Sequence, residues 1–179
     1  METPPDEVLA FWREAGPERW FKKDEQFDAQ LRTRFLAAHE AAARGELEGW
    51  SGSADGALAL LILLDQFPRN AFRGTPRMFA TDAQARAIAD RAIAAGLDAA
   101  VEPALRAFFY LPFEHSESLA DQHRAVELTQ ALDAETHRWA VIHRDIIERF
   151  GRFPHRNTLL GRVTTPDEQR FLDEGGFAG

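Results

Sequence analysis

Two stretches of this chain set an arginine directly before an asparagine, behind a Phe-Pro pair: Phe67-Pro68-Arg69-Asn70 and Phe153-Pro154-His155-Arg156-Asn157. Asn70 and Asn157 are the only asparagines in 179 residues. A guanidinium is a planar fork of donors that fits a carboxylate or phosphate through two parallel bonds. An asparagine amide beside it adds one donor and one acceptor group and tolerates tight turns. Arg69, Asn70, Arg73, Arg156, Asn157 and Arg162 therefore make a candidate pocket for a small anion, a carboxylate metabolite or the end of a peptide. The alternative is that Arg69 and Arg156 brace their own loops, bonding helix-end carbonyls and buried acids such as Asp65 or Glu117.

A second cluster, Glu114-His115-Ser116-Glu117, holds an imidazole between carboxylates. With Glu117 orienting it, His115 could serve as acid or base on an anionic substrate held by the arginines, a hydrolase-like arrangement. Equally, Ser116 and Glu117 suit the cap and first turn of a helix starting there. A metal at His115 and Glu117 would require a third ligand, from His143 or His155. His143 shares a helical face with Trp139, Ile146, Ile147 and Phe150, which suits a core histidine bonded to a neighbouring helix. Together with His155 it completes the polar ligand-binding set. Gln122 is another polar residue on an apolar face, beside Leu119 and Val126. There is no phosphate-binding glycine loop, no H-E-x-x-H, no G-x-S-x-G and no dinucleotide fingerprint, so neither a cofactor nor a resident metal is expected. Three readings stand: a binding module, a hydrolase-like enzyme using His115 and Glu117, and an adaptor or structural protein whose polar loops are internal bracing.

Composition narrows the partners. The net charge is −8, yet residues 65–77 carry +2 and residues 142–162 carry +3, leaving −13 for the rest. The polar loops are cationic islands on an acidic chain, which suits a local anion and not a nucleic-acid track. No apolar run approaches the ~18 residues of a membrane span, and the start Met1-Glu2-Thr3-Pro4-Pro5-Asp6 lacks the layout of a signal peptide. With no cysteine, the chain is expected to be cytoplasmic. The length and 45% hydrophobic content suit one domain over residues 1–179. Oligomeric state is not encoded in any pattern of this kind.

The residues must be positioned by helices. Period-3.6 apolar spacing, abundant alanine and no alternating stretch predict an all-α fold of about eight helices. Thr3-Pro4, Asp24, Ser53 or Asp55, Thr81 with Gln84, Ser116, Asp133 and Thr165-Pro166-Asp167-Glu168 are the expected starts. Gly96 is an expected stop, as are Pro68, Pro112 and Pro154. The run Leu58–Leu64 is apolar on every side, as a central helix would be. Short connections make neighbours antiparallel, so the loops after alternate helices, which hold the Lys22-Lys23, Arg69-Asn70, His115 and Arg156-Asn157 groups, are expected at one rim.

Asp65-Gln66-Phe67-Pro68-Arg69-Asn70 with Arg73-Gly74, Tyr110 with Pro112 and His115-Ser116-Glu117, and His143 to Phe150-Gly151-Arg152-Phe153-Pro154-His155-Arg156-Asn157 with Leu160-Gly161-Arg162, together resemble the uncharacterised bacterial family called domain of unknown function 924. The resemblance spans nearly the whole chain. It implies an all-α fold similar to tetratricopeptide-type helical pairs, here irregular because no 34-residue self-similarity is present, and it implies no activity.

Overall fold

The computed structural model describes residues 3–179, and every regular element among them is helical. The chain groups into two compact units. The first runs to Arg73 and resumes over Arg77–Pro112; the second comprises Gly74–Pro76 and Phe113–Gly179. The first holds α1 (Pro5–Ala15), α2 (Glu25–Ala43), α3 (Ala54–Leu61), α4 (Phe67–Ala71) and α5 (Asp82–Ala94). The second holds α6 (Leu119–Thr129), α7 (Ala134–Phe150) and α8 (Pro166–Asp173). Between α5 and α6 the chain forms the short helical turns Pro103–Arg106, Ala107–Phe109 and Leu111–Glu114. No helix of the described residues is long and apolar enough to cross a membrane.

Most starts follow their capping chemistry. Asp24 accepts from the N–H groups of Gln26 and Phe27, Ser53 from Gly56, and Asp133 from Glu135 and Thr136. Thr165 and Glu168 form the reciprocal capping box. Gly96 and Gly151 end their helices in the left-handed conformation. Other starts differ. The residue before α1 is Pro4, with no side-chain cap. Thr81 and Gln84 form no box, because Thr81 Oγ1 bonds Leu64 O and Gln84 Nε2 bonds Ala42 O. Ser116 does not begin α6: its hydroxyl donates to Asp121, and Ser118 stands at the cap position.

None of the three prolines acts as the helix stop. Gly151 ends α7 before Pro154 is reached, and Pro112 lies inside the turn Leu111–Glu114. Pro68 is more informative. The chain stays helical from Ala54 to Ala71, passing through a π turn, Ile62–Gln66, in which Phe67 N–H bonds Ile62 O. Proline has no N–H, so a carbonyl one turn back loses its partner, and a π turn shifts the ladder by a further residue. Neighbouring side chains take up the carbonyls of this turn. His39 Nδ1 donates to Leu63 O at 2.8 Å, Thr81 Oγ1 to Leu64 O, and Arg69 Nη1 to Asp65 O at 2.8 Å.

This turn sits at the centre of the first unit, with Leu58–Leu64 and Phe67 almost wholly excluded from solvent. α1 and α5 pack against α3, and α2 against α4. Trp12 and Trp20 are buried and stacked, Trp20 Nε1 donating to Trp12 O at 2.7 Å, whereas Phe21 stands exposed. Tyr110 donates its hydroxyl to Asp98 at 2.7 Å; burial, then that bond, push its ionisation upward. In the second unit α6 packs along α7.

His39 is buried with its ring stacked 4.8 Å from Phe67. Burial lowers its pKa, outweighing the opposite pull of Leu63 O. The native state therefore keeps it neutral below the pH at which an unfolded histidine, near ~6.5, takes a proton, so its contribution to stability falls as pH drops below that value. His39→Leu should cost about 1–3 kcal/mol in urea unfolding by orphaning Leu63 O, and should remove that part of the acid slope.

Candidate functional site

The first unit places Arg69, Asn70 and Arg73 on acids from other helices. Arg69 meets Asp82, at the start of α5, with two parallel bonds of 2.8 and 2.9 Å, and its Nη1 also reaches Asp65 Oδ1 at 3.2 Å. Burial opposes the charge on Arg69, but Asp65 and Asp82 outweigh it and raise the pKa. Asn70 Nδ2 donates to Asp28 Oδ1 at 2.7 Å, and Arg73 grips the same carboxylate through Nε at 2.9 Å and Nη2 at 3.3 Å. Asp28 thus lies between an amide and a guanidinium.

The second unit repeats that chemistry on a different backbone. Whereas Arg69-Asn70 is α-helical, Pro154–Arg156 forms a 3-10 turn. Asn157 is fully buried, and its Nδ2 donates to Glu168 Oε2 at 3.1 Å. Glu168 is in turn gripped by Arg152 at 2.6 and 2.9 Å and accepts Thr165 N–H at 2.7 Å. The Arg152 bond is the main reason that Glu168 falls to a pKa of about 2. Asn157 Oδ1 accepts from Arg162 Nε at 3.0 Å, and Arg162 closes on Glu117 with bonds of 2.8 and 3.0 Å. Glu117 and Arg162 also hold both sides of Phe153: Glu117 accepts its N–H at 2.8 Å and Arg162 donates to its carbonyl at 3.1 Å. Burial works to raise the pKa of Glu117, yet Arg162 and the Phe153 N–H together bring it below the usual carboxylate value.

The histidines sit beside this network. Arg156 donates to the carbonyl of His115 at 2.9 Å and lies 4.5 Å over the Phe153 ring. Buried His143 has its Nδ1 2.8 Å from Trp139 O and 3.1 Å from Glu114 Oε1. Because a carbonyl can only accept, Nδ1 carries the proton. His155 packs at 5.7 Å from Phe153 and 5.1 Å from Phe177. Gln122, fully buried, donates to the carbonyls of Glu114 at 2.6 Å and Ser116 at 2.7 Å, fixing the turn that carries His115. Among the described residues, no three His, Asp or Glu gather as a metal site. Two hollows of the first unit, one beside Gln84 and Arg91 and one beside Phe11 and Arg34, are lined by none of the candidate residues.

The chain thus brings Asn70 together with Arg73 in the first unit, and Glu117, Asn157 and Arg162 in the second. The acids that join them, Asp28, Asp82 and Glu168, were not legible as partners. Each lies in the first turn of a helix, where a carboxylate is already accounted for by the helix dipole and free N–H groups. Glu114, on His143, had no sequence signal beyond its place beside His115.

The family described as "Bacterial protein of unknown function (DUF924)" matches residues 8–176. The chain belongs to this family. A solved structure described as a protein of unknown function from Agrobacterium tumefaciens is 55% identical and superposes with a TM-score of 0.94, covering 96% of this chain and 97% of that one. No curated protein matches. The family resemblance carried by the Arg-Asn segments is therefore correct, and so is the all-α fold.

Glu168→Gln tests the bridge in the second unit. The depressed pKa means that Glu168 contributes stability fully above the ordinary glutamate value near ~4.3 and loses it as pH falls toward about 2. Because Arg152 keeps solvent contact, the substitution should cost about 1–2 kcal/mol near neutral pH, as losing a part-buried charged hydrogen bond does, and should flatten the unfolding profile between those two pH values.

Proposed function

We propose that this chain is a helical adaptor or structural protein of irregular tetratricopeptide-like design, in which the polar loops are internal bracing. The observation that carries this reading is that the guanidinium forks are filled from within their own units: Arg69 by Asp82, Arg73 by Asp28 and Arg162 by Glu117. An external anion would have to evict a carboxylate and leave it uncompensated in partly buried surroundings, which is strongly unfavourable. The anion-receptor alternative, with the loops as a pocket, draws less support for that reason. So does the hydrolase-like alternative, since the carboxylate meant to orient His115 is engaged by Arg162 and by Phe153 N–H. A net charge of −8 supports partners other than nucleic acid. A cytoplasmic site of action belongs to the same proposal, supported by the cysteine-free composition.

Thermal unfolding in phosphate, acetate and an acidic peptide, each compared with chloride at equal ionic strength, tests the reading. The midpoint should move no more than in chloride. Arg162→Ala should lose about 2–4 kcal/mol of stability regardless of the anion present. A midpoint raised by phosphate or carboxylate in the wild-type chain, and not in Arg162→Ala, would instead establish an anion receptor.

A further inference from the structure

In the first turn of α3, Asp55 is followed by Gly56, and nowhere else in the 179 residues does glycine follow an aspartate or an asparagine. This order favours ring closure, in which the next residue's backbone nitrogen attacks the side-chain carboxyl carbon, because glycine sets no Cβ beside the attacking nitrogen. Packing explains why glycine stands there. A Cβ at this position would lie 2.1 Å from Trp50 O and 2.9 Å from Ser53 Oγ. Both oxygens are held in place: Trp50 O accepts Ser53 N–H at 3.3 Å, and Ser53 Oγ accepts Gly56 N–H at 3.1 Å. The helix start therefore calls for glycine, although glycine weakens a helix.

The two reacting groups differ in how they are restrained. The Asp55 side chain is 56% exposed, so water and protons reach it, and Arg13, whose bonds go to Glu102, stays 3.6 Å away. Gly56 N–H belongs to the donors that a helix start leaves without a backbone partner, and the Ser53 cap holds it. We propose that Asp55-Gly56 is an isoaspartyl modification site of this chain, gated by the Ser53 cap. When the turn opens, Gly56 N loses its proton and bonds Asp55 Cγ, and one carboxyl oxygen leaves as water, giving a five-membered succinimide. Water then adds at the Asp55 backbone carbonyl carbon and breaks its bond to Gly56 N, so that the chain continues through Cβ and a free α-carboxylate remains. One water is lost and one is gained, so no co-reactant is needed and the mass is unchanged. The extra backbone carbon falls in the turn that begins α3, the helix on which α1 and α5 pack. The site shares no residue with the arginine bridges, so it stands or falls apart from the bracing reading.

The test is incubation of the full chain in mildly acidic buffer, with isoaspartate read at each aspartate by peptide mapping and by methyl transfer from a protein-isoaspartyl methyltransferase. Isoaspartate should accumulate at residue 55 and not at Asp98, which alanine follows. Ser53→Ala should raise the rate at Asp55 about fivefold, the factor by which a lost cap favours opening of a first turn. Ser53→Asp, which restores a cap, should return the wild-type rate, and Asp55→Glu, too long for a five-membered ring, should remove the signal. No isoaspartate at residue 55 under conditions that isomerise the free peptide 51–60, or equal rates in wild type and Ser53→Ala, overturns the proposal. Should Asp98 also accelerate in Ser53→Ala, the substitution has loosened the unit, and the wild-type chain decides. Its slowing relative to the free peptide should then match, within about threefold, the protection of Gly56 N–H from hydrogen exchange, and a mismatch overturns the gating by the cap.

Discussion

Carbonyl groups that a buried helix cannot satisfy for itself govern the first unit. The segment from Ala54 to Ala71 is surrounded by other helices, contains a proline and passes through a π turn, so its backbone ladder cannot close unaided. Water does not reach Leu63 or Leu64, so side chains must. His39 comes from α2, Thr81 from the residue before α5, and Arg69 from α4 itself. The start of α5 is thereby fixed twice, through Thr81 on the carbonyl and through Asp82 on Arg69. Helix positions follow from which donor each must bring to the centre.

Both units solve a second problem in one way. An arginine can hold a carboxylate, but a lone exposed pair contributes little. Adding an asparagine amide to the same carboxylate engages another donor and ties a loop to a distant helix. Asp28 is held in this manner by Asn70 and Arg73, and Glu168 by Asn157 and Arg152. Around Glu168 the arrangement extends through Arg162 to Glu117 and the Phe153 backbone, so that one network spans residues 117–168. The fold of the second unit, which has only three longer helices, leans on this polar frame as well as on the cluster of Ile146, Ile147 and Phe153.

The helices were legible because their signals are local. Asp24, Asp133 and the Thr165 capping box act within four residues, and the uniformly apolar run around Leu60 has one plausible place in a globule. Thr81, Gln84 and Ser116 misled because each has two uses for its polar group, and tertiary partners won. Pro68 misled more deeply: proline ends a helix only where nothing else can serve the carbonyl it deprives, and whether a histidine 29 positions earlier reaches that turn is not a local fact. The site residues were legible as types and not as pairs. Arg69, Asn70 and Asn157 stand out in the sequence as candidates for an anion pocket, yet the acids they meet hide in first turns, where an acid already has an explanation. The pairing of His143 with Glu114 is similarly invisible, since it joins a turn to a helix across 29 residues.

The placement of the two asparagines also bears on chemical ageing. Spontaneous hydrolysis of an asparagine amide replaces a donor with a carboxylate. At Asn70 or Asn157 that would set the new negative charge directly against Asp28 or Glu168, converting a bridge into a repulsion inside buried surroundings. The helical backbone at Asn70 and the complete burial of Asn157 withhold the flexibility and water that the reaction needs. Both asparagines thus sit where structure slows the reaction and where its product would face a second carboxylate.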